Sequence, residues 1–387
     1  MTCRNATFGQ AVRLRLPPLA MVASVFFAAL LGTACGVASA AAPEAAGKRS
    51  FDIADTRSVT TKAWKLYKTR FMAADGRIID TFTGVSHSES QGTGLILSAM
   101  ARDRSGFDRI WRWTDAALRR DDGLFSWRFD PAAADPVADP NNATDGDLMI
   151  AWGLLLADRA WPDAGYRVEA RRIAAAIAGG LVRSVHGGEL VLLPGMDGFE
   201  REGALIVNPS YYVLPALRDL ASAFDLEPLD EVANGFPGLL ALSRWGDSRL
   251  PLDWVSVGPE GAVPAAEWPA RFGYEAIRVP LYLAWDASLP LDLATGLCSV
   301  ASAQTHGGMP GWVDLETGAV APYQGSVGHR SILALAAADC GEAWRDFASD
   351  YGSSDWRLAV LEEEDDYYAA SLVALSLLAE QHRSSVR

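Results

Sequence analysis

Apolar residues recur at helical spacing along nearly the whole chain, and they do so in two kinds of segment. In DLMIAWGLLLA (147–157) they go almost all round, so that helix has to be buried on every side. YRVEARRIAAAIAGGL (166–181) is amphipathic and belongs on the outside. Fully buried and one-sided helices in one chain imply two concentric helical layers. The spacing predicts helices near 56–73, 90–101, 106–120, 145–160, 163–180, 210–225, 230–245, 274–288, 291–304, 328–338 and 366–383, with a weaker one at 341–352. LVLLPG (190–195) and ALIVNPS (204–210) flank a Gly-rich turn and predict a hairpin between helices. The Asp/Pro stretch 129–142 and the Gly/Pro-rich stretch 306–327 read as loops, and neither is a domain linker. The remainder after residue 40 is therefore one all-α domain, 41–387.

The first forty residues stand apart. Arg4, Arg13 and Arg15 precede an apolar run from Leu19 to Leu31, and small residues end in Ala38-Ser39-Ala40. This layout predicts a secretory signal peptide over 1–40 cut after Ala40, with export to the periplasm or beyond. The run is too short for a membrane span, and Gly32-Thr33-Ala34 makes Cys35 a poor lipid-anchor site. Cys298 and Cys340 remain after cleavage; a disulfide and two buried thiols are equally open. The formal net charge of −14 argues against nucleic acid as a partner. The 5 His and 4 Cys are too scattered for a zinc or iron–sulfur site, and no cofactor or metal is implied. The 13 Trp suit the flat apolar faces of sugar rings.

Three segments carry carboxylates in positions that invite chemistry. In SHSESQGTGLILSAM (86–100), Glu89 precedes an apolar helix; helix capping by Ser88 or Ser90 explains the polar turn as well as catalysis does. Gly92 and Gly94 tilt the reading toward a ligand, since missing side chains open room. In NNATDGDLMIAWGLLLADRAW (141–161), one of Asp145 and Asp147 suffices for a cap. A second acid before a wholly apolar stretch is expensive unless paired or used. In RFGYEAIRVPLYLAW (271–285), Glu275 and Arg278 share a helix face beside Phe272, Tyr274 and Ile277, and Pro280 kinks the helix or delays its start. Carboxylates in an aromatic setting, without metal or cofactor spacing, suit glycoside hydrolysis, in which one acid protonates the leaving oxygen and one carboxylate acts as base or nucleophile.

These segments together resemble glycoside hydrolase family 8. ATDGDLMIAWGLLLADRAW (143–161) is similar to the family's A-[ST]-D-[AG]-D signature, and SHSESQGTGLILSAM to its S-E-G-Q-x-Y-G-M segment, followed by F-x-x-I-W-x-W-T at 107–114. RFGYEAIRVPLYLAW resembles Y-D-A-x-R-x-P. NPSYYVLPAL (208–217) is similar to the N-P-S-Y segment of members that accompany bacterial cellulose synthase. The resemblance spans roughly residues 60–340. It implies an (α/α)6 barrel and an inverting endo-acting hydrolase of β-1,4-glucan, acting as a monomer, with an association with a cellulose synthase complex among its implications. It further implies Glu89 as general acid, Glu275 as base and Asp145 as the residue that holds and distorts the sugar, an inverting reaction having no covalent intermediate. Trp127, Asp147, Tyr211, Tyr274 and Arg278 are the expected substrate-binding residues; Trp113, Trp152 and Trp254 are further candidates for sugar platforms. Glu275 replaces the usual Asp, Ser90 a common Gly and Thr93 a common Tyr. A xylanase or chitosanase on the same scaffold, and a glycan-binding protein without hydrolysis, are the alternatives.

Overall fold

The computed structural model describes residues 57–386, apart from 163, 186 and 305–307; the expected signal peptide lies outside the described residues. Six helices form a closed inner ring: α2 (Ser88–Met100), α4 (Thr144–Ala160), α6 (Leu214–Phe224), α8 (Arg278–Trp285), α10 (Val327–Ala337) and α13 (Tyr367–Val386). Each packs on the next, and α13 returns to α2. Outside them lie α1 (Arg57–Phe71), α3 (Arg104–Leu118), α5 (Tyr166–Gly180), α7 (Glu227–Ser243), α9 (Leu291–Ser302) and α12 (Ser354–Glu363), with a short additional α11 (Arg345–Gly352). This is the (α/α)6 barrel, and the two predicted kinds of helix fall in its two layers. In α4, 15 of 17 residues are buried, including Trp152, whose ring meets Trp285 of α8 edge-on at 5.2 Å. In α5 the buried residues are Tyr166, Ala170, Ile173, Ala174 and Ile177, one stripe.

Several expectations are corrected. The strand Leu190–Leu192 pairs with Val182–Ser184, while Ala204–Val207 joins Glu200–Arg201 and Val255–Gly258 in a four-stranded sheet completed by Gly261–Pro264. The predicted hairpin is thus split between two sheets, because half of its pairing lies some fifty residues away. The helix expected at 274–288 starts only at Arg278. Pro280 sits in its first turn, where a missing N–H costs nothing. α12 has no counterpart among the predicted helices: of its apolar residues only Leu358 and Leu361 are buried, and acids crowd its end. Cys298 and Cys340 form a disulfide, Cα atoms 6.5 Å apart, which decides between the two sequence readings.

The inner ring closes tightly where glycines allow. A Cβ on Gly92 of α2 would stand 2.5 Å from the Met149 Cβ of α4, and one on Gly153 of α4 would stand 2.7 Å from the Leu95 Cβ of α2. Gly94 faces Ile78 and Ile110. These glycines are for helix–helix approach, not for the ligand room expected of Gly92 and Gly94.

Candidate active site

The N-termini of α2, α4 and α8 converge at one end of the barrel, and the three carboxylates come with them. Glu89 lies in the first turn of α2. Its helix is capped by His87, not by Ser88: the Ser90 hydroxyl accepts from the His87 N–H (3.2 Å) and donates to the His87 carbonyl (2.7 Å). Asp145 opens α4 and accepts from the N–H of its neighbour Gly146 at 2.8 Å. Glu275 lies in the turn before α8.

Arg278, the first residue of α8, joins all three. Its Nη1 donates to Glu89 Oε1 at 2.6 Å and to Asp145 Oδ2 at 2.7 Å. Its Nη2 donates to Ser210 Oγ at 2.9 Å and to Glu275 Oε2. The guanidinium is 2% exposed. Burial opposes its charge, but Glu89, Glu275 and Asp145 outweigh burial and hold it firmly protonated. The pairing expected between Glu275 and Arg278 is present, yet Arg278 serves the other two carboxylates as well. Burial pushes Asp145 up to about 7, against the pull of Arg278 and with the push of its two acidic neighbours. Tyr211 spreads its ring 5.4 Å from the same guanidinium.

Of the other expected residues, Tyr274 stands at the rim, exposed, one residue before Glu275. Trp127 is half-buried; one ring face lies parallel to His87 at 5.8 Å, and its Nε1 donates to Asp139 at 2.8 Å. Asp147 is corrected. It is wholly buried, and its two oxygens are taken by the Phe125 N–H (2.8 Å) and Asn142 Nδ2 (2.7 Å), so it ties loops to α4 and leaves no atom for a sugar. Burial raises its carboxyl to about 8. Among the further aromatic candidates, Trp152 is core, donating to Asp219 at 2.9 Å, and Trp113 meets Phe129 edge-on. Trp254 is sandwiched between Phe199 and Trp268.

Four supporting residues escaped the sequence reading. Asn208 donates to Glu275 Oε2 at 3.2 Å and accepts from the Ser210 hydroxyl at 2.7 Å, which orients that hydroxyl toward Arg278. Both stand in the NPSYY segment, the one signal that pointed there. Asp253 accepts from the N–H groups of Gly273 (2.9 Å) and Ala276 (2.8 Å), clasping the turn that carries Glu275. Burial drives Asp253 to about 7. The Tyr368 hydroxyl of α13 donates to the Tyr274 carbonyl. Nothing local in the sequence marks the last two.

Two partly exposed carboxylates, Glu89 and Glu275, held by one fully charged fork, are groups that can give and take protons. Comparison with known proteins gives the same direction. The Glycosyl hydrolases family 8 profile matches residues 50–382. A protein named endoglucanase from Cellulomonas uda is 42% identical over 273 residues, covering 69% of this chain and 75% of its own. A probable endoglucanase from Novacetimonas hansenii is 37% identical, covering 82% and 89%. The solved structure of endo-beta-1,4-glucanase CMCax from Acetobacter xylinum superposes with a TM-score of 0.76 at 32% identity, covering 84% of this chain and 99% of that one.

Proposed function

The chain belongs to glycosyl hydrolase family 8, and on that premise we propose that it is an exported endo-β-1,4-glucanase working by inversion. Glu89 gives its proton to the glycosidic oxygen as the C1–O bond breaks. Glu275 takes a proton from a water molecule whose oxygen forms the new bond to C1 from the opposite face. One water is consumed; Glu89 loses one proton to the leaving oxygen, Glu275 gains one from the water, and exchange with solvent restores both. Inversion asks for carboxyl groups roughly 6.5–9.5 Å apart, with room for a water between the base and the sugar.

The single observation that carries this reading is Arg278, hydrogen-bonded at once to Glu89, Asp145 and Glu275. Its fork is preorganised, and the low-dielectric site makes each contact count for more than it does in water. Asp145 takes the sugar ring at the cleaved bond in this reading by giving up the hydrogen bond that Arg278 now makes to it, since its other oxygen accepts from the Gly146 N–H. Tyr211, Tyr274 and Trp127 supply ring faces for the glucan, while Arg278, buried with both terminal nitrogens engaged by protein side chains, holds the carboxylates.

Export is supported by the disulfide, which oxidising surroundings favour, and by the signal-peptide pattern of residues 1–40. A place beside a cellulose synthase rests on the NPSYY resemblance. Glu89→Gln tests the chemistry: the release of reducing ends from carboxymethyl-cellulose should fall by about 1,000-fold or more, and proton NMR of the wild-type digest should show the α-anomer first. Unchanged activity in that variant removes Glu89 from the mechanism. Tight binding of cello-oligosaccharides by the wild type with no new reducing ends would leave a binding protein, and a faster reaction on xylan or chitosan would reassign the substrate.

A further inference from the structure

The hairpin over residues 309–325 plays no part in the chemistry above, yet it is built onto the base. Its strand Val313–Asp314 pairs antiparallel with Arg271–Phe272, so the hairpin and the segment that runs on into Tyr274 and Glu275 form one ribbon. The Arg271 guanidinium lies 3.9 Å over the Trp312 ring and clamps that junction. A bridge between Pro310 and Gln324 joins the two arms, and the Gly311 N–H donates to the Tyr323 carbonyl at 3.1 Å.

Tyr323 is 50% exposed although its position is closely determined. Its ring lies down on Gly311, where a Cβ would stand 2.9 Å from the ring Cδ2. The missing side chain is what lets the ring lie there. Burial, with the phenol of Tyr323 as a neighbour, pushes the Tyr274 phenol up to about 12. Tyr274 is itself 43% exposed; the edge of His329 props its ring at 5.1 Å. Two large rings, each held by its neighbours and about half exposed close to Glu275, offer a surface for a ligand. A flat apolar face rimmed by hydroxyls matches a β-linked pyranose, whose axial C–H groups stack while its equatorial hydroxyls bond at the rim.

We propose that Tyr323 and Tyr274 form a shelf for a further glucosyl unit on the Glu275 side of the cleft, with Tyr323 setting how strongly the enzyme prefers long chains. The shelf presupposes the glucanase reading for its ligand, but its test does not require turnover. Calorimetry with Glu89→Gln as the parent measures cellotetraose and cellohexaose binding without cleavage. Adding Tyr323→Ala should weaken cellohexaose binding about tenfold, as should Tyr323→Leu, which keeps bulk without a flat face; Tyr323→Trp should retain it. In the active enzyme, Tyr323→Ala should lower the ratio of kcat/KM for cellohexaose over cellotetraose by a similar factor, through KM. Cellohexaose binding in Glu89→Gln/Tyr323→Ala equal to that of the parent overturns the shelf and leaves the glucanase reading standing. If the wild type leaves β-1,4-glucan intact while Tyr323→Ala still weakens cellohexaose binding, the shelf stands and the hydrolytic reading falls.

Discussion

Glu89 and Glu275, the proposed acid and base, stand on flanks of the site that are built in different ways. Glu89 and Asp145 stand on two inner helices, α2 and α4, pressed together through glycines whose Cβ positions are already filled by the opposite helix. Glu275 stands on a turn held by the side chains of Asp253 and Asn208 and by the Tyr368 hydroxyl. One flank is positioned by backbone packing and has nowhere to move; the other hangs from hydrogen bonds that can follow a change of side chain. The lesson bears on the Glu that replaces the family's usual Asp. An added methylene is tolerable on the hydrogen-bonded flank, and the same addition on the packed flank is not.

Gly153→Ala strikes the packed flank hardest. The new methyl would stand 2.7 Å from the Leu95 Cβ and 3.3 Å from the Ile96 nitrogen, so α2 and α4 must part. Displacements of about 1 Å at reacting groups cost roughly 100-fold in rate, and kcat should fall by at least that much. Overpacking should also cost about 1–3 kcal/mol of stability, read from urea denaturation. A fully active variant would mean that the packed flank yields as easily as the other.

Glu275→Asp sharpens the contrast from the opposite side. If the turn follows its side chain, kcat should change by less than about tenfold; a loss near 100-fold, the usual consequence of an ångström's misplacement, would show that the base flank is as rigid as the acid flank.

The smallest expected effect is on stability against pH. Asp145, Asp147 and Asp253 are raised to about 7, 8 and 7 by burial, so the folded protein holds these protons more tightly than the unfolded chain does. Stability from these groups is present at low pH and is lost as pH rises from about 4 through 8. His87 and His329, both lowered to about 4 by burial, act at the other end: their contribution is complete above about 6.5 and is lost as pH falls toward 4. With three carboxyls losing stability against two imidazoles gaining it, the melting temperature should decline as pH rises from about 4 through 8. Asp147→Asn should flatten that decline more than Asp253→Asn, because the packed flank holds the larger shift. Equal slopes in the two variants would erase the distinction.

The inner helices were legible because burial on all sides leaves an all-round apolar run, as in 147–157. α12 was not, since its burial rests on few apolar residues and on Arg357, whose guanidinium donates to the Ser331 hydroxyl and carbonyl. Strand pairing failed where Leu205 finds Val257, a partner that no local pattern names. In the cleft, carboxylates set beside apolar helices announced themselves. What they bind to did not, because Arg278 reaches residues 189 and 133 positions away in the chain. Asp147 was misread for a physical reason: a buried acid that is used and a buried acid that is merely paired look the same until its partners, Phe125 and Asn142, are in place.

The Cys298–Cys340 bond ties the end of α9 to the residues just past α10, and the Tyr323 hairpin lies wholly within the loop it closes. Closing a loop of 42 residues removes about 4 kcal/mol of unfolded-chain freedom in the entropic account of such links. A newly made polypeptide in thiol-rich surroundings lacks that fastening. The sector that carries Tyr323 gains this stabilisation only once an oxidant has been met.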